Sequence, residues 1–92
     1  MIKTFKCRDT EALFGGARVA RFVNFAAVAM RKLQMVHAAT RIETLRVPPH
    51  NRLEKLSGDR IGKWSIRVND QFRLCFTRRD GAAWDVEIVD YH

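Results

Sequence analysis

The chain has 92 residues, 47% hydrophobic and 29% charged, enough apolar material for one small core and too much for a disordered segment. Seventeen Lys and Arg against ten Asp and Glu leave a net charge of +7, which makes polyanions, and nucleic acid first among them, the leading partner class. Plain solubility is the alternative reading of that charge. Cys7 and Cys75 lie far apart, without further Cys or His at ligand spacing, so neither a zinc site nor a disulfide framework is suggested. The longest uncharged run, "FVNFAAVAM", is shorter than the ~20 residues a membrane span needs, and the N-terminal segment lacks the apolar run of a signal peptide. A single soluble, cytoplasmic domain over residues 1–92 is expected, with no membrane partner.

In chain order, "MIKTF" sets Ile2 and Phe5 among cations and reads as a short opening strand. "DTEALFGG" offers Asp9 as N-cap, Glu11 in the first turn and Gly15-Gly16 as a stop, predicting one or two helical turns. "NFAAVAMRKLQMVHAA" places Ala26, Met30, Leu33 and His37 at i, i+4, i+7 and i+11, with Ala29 and Val36 beside them. That is one apolar helical face, and His37 belongs to it as a packed side chain. "TRIE", Thr40 to Glu43, has capping-box spacing and opens a short helix carrying Ile42 and Leu45, which Pro48-Pro49 ends.

Beyond "VPPH" the period changes to two. Trp64, Ile66 and Val68 oppose Ser65, Arg67 and Asn69; Phe72, Leu74 and Phe76 oppose Arg73, Cys75 and Thr77; Trp84, Val86 and Ile88 oppose Asp85 and Glu87. The fold class is therefore α+β, with N-terminal helices packed on one face of a mainly antiparallel sheet and charge on the other. Paired residues share a face, so a two-residue loop at "DG" would set even against odd positions and expose half the core. A three-residue loop ending at Gly81 is predicted instead, with Phe76 opposite Trp84 and Arg73 opposite Glu87. Tyr91 then falls on the charged face with Arg67 and Arg73, and His92 lies just past the strand.

The segments "PPHNRLEKLSGDRIGKWSIRVNDQFRLCF" and "DVEIVDYH" resemble the HigB-type toxins of the RelE-like toxin–antitoxin superfamily. The resemblance is dense from Pro48 to His92 and looser over the N-terminal helices. It implies a RelE-like domain, ribosome-dependent cleavage of mRNA in the A site, and a helix-turn-helix, HigA-like antitoxin as partner. The sequence departs from the pattern at Glu54, where certain members carry histidine, at His50, where a glycine is expected, and at Phe72 and Arg78.

RNA brings its own nucleophile, the 2′-OH, so the cleavage needs neither metal nor other cofactor. The protein must remove the 2′ proton, stabilise the phosphate and protonate the leaving oxygen. On spacing alone Arg73 either grips a phosphate or pairs with Glu87; the family resemblance favours the phosphate. His92 is the residue type that exchanges protons at cellular pH. Tyr91 is a phosphate donor or a stacking ring, or else a cap over the sheet edge. Asp90 orients a neighbour or is structural. Glu54 is the candidate general base. Arg52, Lys55, Arg60, Lys63 and Arg67 form the expected RNA-tracking surface, solvated cations being the plain alternative. Replacing Arg73 by Ala is expected to cost activity with stability nearly unchanged. Two other readings use the same surface: a non-catalytic ribosome- or RNA-binding module, and an interaction module whose sheet edge takes a partner's strand.

Overall fold

Alternating apolar residues decide which face of the sheet is buried. The computed structural model describes residues 1–56 and 62–91. Strands β1 (Glu54–Lys55), β2 (Lys63–Arg67), β3 (Phe72–Arg79) and β4 (Ala82–Asp90) form an antiparallel sheet in the order 1-2-3-4. Ile66, Leu74, Phe76, Val86 and Ile88 line its buried face, with Val68 just beyond β2. Helices α1 (Arg8–Phe14) and α2 (Ala26–Ala38) supply Leu13, Ala29, Leu33 and Val36 to the same core. The α+β arrangement with helices on one face is thus the one the pattern predicts. A 3-10 segment, Ala20–Phe25, precedes α2 and fully buries Phe22, whose ring meets those of Phe25 and Phe72 at 5.7 and 6.4 Å. Burial of such a ring contributes about 1.5–3 kcal/mol.

The helix starts differ from expectation. Cys7, not Asp9, holds the N-cap position of α1, and the Asp9 carboxylate accepts from Arg21 Nε at 2.7 Å. Of the two cysteines, Cys75 is buried, whereas Cys7 is only half-buried. Burial pushes the Cys7 thiol up, but hydrogen bonds from Thr10 and Asp9 and the nearby Arg21 charge outweigh it, leaving the thiol below its usual range. Thr40 caps nothing: Arg41 precedes a 3-10 turn over Ile42–Arg46, and the Thr44 hydroxyl donates to the Arg41 carbonyl at 2.8 Å. His37 is exposed rather than enclosed, yet its Nδ1 accepts from the Ile2 N–H at 3.0 Å and its ring lies 5.3 Å from that of Phe14.

The opening segment forms isolated parallel bridges to β4, Ile2 with Ala83 and Phe5 with Val86, in place of a regular strand. Its backbone covers the outer edge of β4: Lys3 N donates to Ala83 O at 2.8 Å and Lys6 N to Val86 O at 3.0 Å. Farther along, the buried Thr10 hydroxyl accepts from Ile88 N at 3.0 Å. That edge is therefore occupied by the chain itself, and the opposite edge, β1, is two residues long. Among the described residues neither offers the long open edge that strand addition needs.

Register follows parity between β2 and β3, with Trp64 opposite Phe76 and Ile66 opposite Leu74. Between β3 and β4 the predicted three-residue loop is wrong. Asp80 and Gly81, at φ 53° and 73°, make a two-residue turn that joins Arg79 to Ala82. Positive φ at both positions is what the favoured hairpin turn requires, and "DG" satisfies it. A bulge restores parity: between the pairs Thr77–Trp84 and Cys75–Glu87, Asp85 and Val86 together face Phe76. Asp85 takes φ 53°, and its N–H bonds to the Thr4 hydroxyl at 2.8 Å. Trp84 is thereby turned off the core face, where it was expected; its Nε1 donates to Arg79 O at 3.1 Å. Turn and bulge together set Arg73 opposite Val89 and Glu87 opposite Cys75, two residues from the expected pairing of Arg73 with Glu87.

Candidate functional site

The central feature of the charged face is a guanidinium held from below. Arg67 and Arg73 pair across β2 and β3, and Arg73 is only 9% exposed. Arg73 Nε donates to the buried Ser65 hydroxyl at 2.9 Å, and Nη2 donates to the Arg52 carbonyl at 2.7 Å. A carboxylate oxygen of Glu54 lies 3.9 Å from Nη2, and the ring centroid of Tyr91 is 5.8 Å from Cζ. Arg73 therefore does carry an ion pair, but with Glu54; Glu87 has Lys6 Nζ at 3.8 Å instead. Such anchoring argues against unchanged stability on losing Arg73, because its acceptors would lose their donor.

The Arg52 carbonyl reaches Arg73 because Arg52 adopts the left-handed conformation, φ 47°, after a 3-10 turn at Pro49–Asn51. Asn51 locks that turn. Its buried Nδ2 donates to Leu45 O at 3.1 Å and Val47 O at 3.4 Å, while its Oδ1 accepts from Lys32 Nζ on α2. Lys32 is 3% exposed. Burial, then the Arg31 and Arg67 charges, hold its ammonium below the usual lysine range. The hydrogen-bond path thus runs from α2 through Asn51 to the turn that presents the Arg52 carbonyl.

Above Arg73 opens a cleft of about 440 Å³ bounded by His50, Arg52, Glu54, Arg67, Asn69, Asp70 and Tyr91. Arg67 Nη2 is hydrogen-bonded to Asp70. The Asn69 side-chain Oδ1 accepts from Gln71 N and Phe72 N at 2.9 and 2.8 Å, shaping the turn at the rim. Tyr91 N donates to Gln71 O at 2.7 Å, which keeps Tyr91 in line past the end of β4. A second hollow of about 430 Å³ adjoins Tyr91, with Lys6, Lys63, Cys75, Glu87, Val89 and Asp90 around it. Asp90 Oδ2 accepts from Gln71 Nε2 at 2.9 Å.

Of the residues singled out from the sequence, the structure gathers Arg73, Tyr91, Glu54, Arg52 and Arg67 around one cleft. Asp90 and Lys63 border the adjoining hollow. Lys55 is not with them: it pairs with Trp64, and its Nζ lies 6.0 Å from that ring, on the other face of the sheet. Arg60 and His92 lie outside the described residues. Sequence reasoning missed Ser65, Asn51 and Lys32. Ser65 had a signal, being a small polar residue on the same alternating face as Arg73. Among the described residues no group of three His, Cys, Asp or Glu is placed to hold a metal, and no helix is long and apolar enough to cross a membrane.

The small α+β fold has a counterpart among solved structures. A chain of the YoeB-YefM complex from Staphylococcus aureus shares the fold at a TM-score of 0.55, covering 100% of this chain and 98% of that one at 16% identity. Residues 18–92 match the family described as the RelE-like toxin of type II toxin–antitoxin system HigB. Toxin HigB-1 of Vibrio cholerae is 51% identical over 53 residues, 58% of this chain and 56% of that protein. An uncharacterized protein of Haemophilus influenzae is 45% identical over 58% of this chain and 52% of its own length, so the chain spans about half of these two relatives. Endoribonuclease HigB of Proteus vulgaris is 33% identical over the full length of both chains. The protein belongs to the HigB-like toxin family.

Proposed function

We propose that this chain is the toxin of a type II toxin–antitoxin pair and cleaves mRNA in the ribosomal A site, using the RNA 2′-OH and no cofactor. The observation that carries the reading is the anchored guanidinium: Ser65 and Arg52 hold Arg73 in place at the base of the cleft, beside Glu54 and Tyr91. A preorganised donor aimed at a phosphate spends no reorganisation as charge develops in the transition state.

In this reading Arg73 binds the scissile phosphate. Glu54 accepts the 2′ proton, lying beside the same guanidinium. Tyr91 donates to the phosphate or stacks on a base, and Asp90 orients the chain end through Gln71. His92 protonates the leaving 5′ oxygen. Arg52, Arg67 and Lys63, with Arg60, track the backbone, and the ribosome supplies the orientation of the message. A helix-turn-helix antitoxin neutralises the activity.

The test compares wild type, Arg73→Ala and His92→Ala on translated mRNA and on naked RNA, with RNA binding measured in parallel. The expected result is efficient cutting of translated message only, a loss of roughly 10²–10³ in rate for Arg73→Ala, and retained binding without cleavage for His92→Ala. Cleavage by both variants at the wild-type rate would place the chemistry elsewhere. Binding without cleavage by wild type would leave a ribosome-binding module.

A further inference from the structure

The second hollow has a feature that the cleavage scheme does not use. Glu87 is half-buried, with 23% of its side chain exposed, and accepts no hydrogen bond from the described residues; its nearest cation, Lys6 Nζ, stands at 3.8 Å. That ion pair is not what fastens the N-terminal segment, since the backbone bonds of Lys3 and Lys6 to β4 already do so. Among the described residues this half-buried carboxylate thus keeps acceptor capacity that a ligand's donor can use.

Its position says what would donate. Glu87 pairs with Cys75, two residues along β3 from Arg73 and so about 7 Å from it. Tyr91, 43% exposed, stands as a wall common to both hollows and offers a face for stacking. Val89 and Cys75 add apolar surface, and Lys6 and Lys63 supply positive charge at the margin. An RNA strand gripped at Arg73 would bring the adjacent nucleotide here.

We infer that this second hollow is a nucleobase subsite in which Glu87 reads the donor edge of the base, favouring adenine, cytosine or guanine over uracil. The inference rests on the proposed RNA-cleaving function and extends it to sequence preference. An ionised carboxylate is acceptor-only. The exocyclic amino groups of adenine, cytosine and guanine donate to it, whereas the carbonyl oxygens of uracil flank its single N–H and repel the carboxylate. Lys6 balances the carboxylate's charge and attracts phosphate without selecting among bases.

The test measures binding of short single-stranded oligo-A, oligo-C and oligo-U RNAs to the full chain by fluorescence anisotropy, and maps cleavage ends on translated mRNA. Wild type should bind oligo-A and oligo-C roughly tenfold more tightly than oligo-U, the scale of one good base contact. Glu87→Ala should bind all three alike. Glu87→Gln keeps the shape and adds a donor, so it should raise oligo-U towards the others and carries the test if the alanine variant folds poorly. Lys6→Ala should weaken all three together while keeping the order. Equal or undetectable binding of the three RNAs by wild type would overturn the inference, as would undiminished discrimination by a folded Glu87→Ala or by Glu87→Gln. Discrimination by a wild type that cuts no message would sink the nuclease reading and leave the subsite standing.

Discussion

Replacing Arg73 by Ala removes the donor from the buried Ser65 hydroxyl and the Arg52 carbonyl at once, and with them a longer bond of 3.4 Å to the Ser65 carbonyl. An unsatisfied buried polar group costs about 1–3 kcal/mol, and release of a poorly solvated cation offsets part of the sum, so a net loss of about 2–3 kcal/mol is expected. With an unfolding entropy of about 2.1 cal/mol/K per residue, a chain of 92 residues loses about 10–15 °C in Tm. Arg67→Ala is the internal control. Its partner Asp70 is fully exposed, and pairs of that kind contribute below about 1 kcal/mol, so a shift of at most a few degrees is expected. Thermal melts followed by far-UV circular dichroism compare the two variants with wild type, and activity is then measured at a temperature where all three are folded. If Arg73→Ala melts within about 3 °C of Arg67→Ala, a difference of only about 0.6 kcal/mol where about 1–3 kcal/mol is expected, the anchoring assigned to Ser65 and Arg52 is wrong.

Lys32 makes stability depend on pH. Its folded-state pKa is lowered, so between that value and the unfolded lysine's the unfolded chain binds more protons and stability rises with pH. Melts from pH 8 to 10.5 should show that rise in wild type, while Lys32→Met should flatten it; identical slopes would refute the assignment. Asp85 occupies the left-handed region at the bulge, so Asp85→Gly should stabilise the fold by about 0.5–1 kcal/mol and Asp85→Val should destabilise it by more than that, both read from urea titrations. Cys7 has hydrogen bonds and Arg21 holding its thiol low, so its alkylation rate should reach half-maximum at a lower pH than that of a free cysteine, and that midpoint should climb in Arg21→Ala. A midpoint unmoved by the arginine would show that its charge does not act on the thiol.

Period-two alternation from Trp64 to Phe76, and the apolar stripe of the long helix, determined the class of fold, because each makes sense only if one face is buried. The same alternation put Arg67, Arg73 and Tyr91 on one charged surface, where the cleft is found. Charge marked the face but not the partners within it. Counting from a three-residue loop sets Arg73 opposite Glu87; the two-residue turn and the bulge at Asp85, which no glycine announces, each move the count by one, so that Arg73 faces Val89.

Tertiary structure alone decided that Arg73 faces Glu54, that Lys55 lies on the opposite side of the sheet, and that Glu87 lines a hollow of its own. It also decided that a buried lysine from α2 and an asparagine after two prolines hold the turn carrying Arg52. Local sequence sets periodicity because backbone geometry repeats over a few residues. Hydrogen bonds between Lys32 and Asn51, or between Arg73 and the Arg52 carbonyl, join residues 19 and 21 apart in the chain. Their geometry depends on how helix, turn and sheet meet, and no short window of residues contains that meeting.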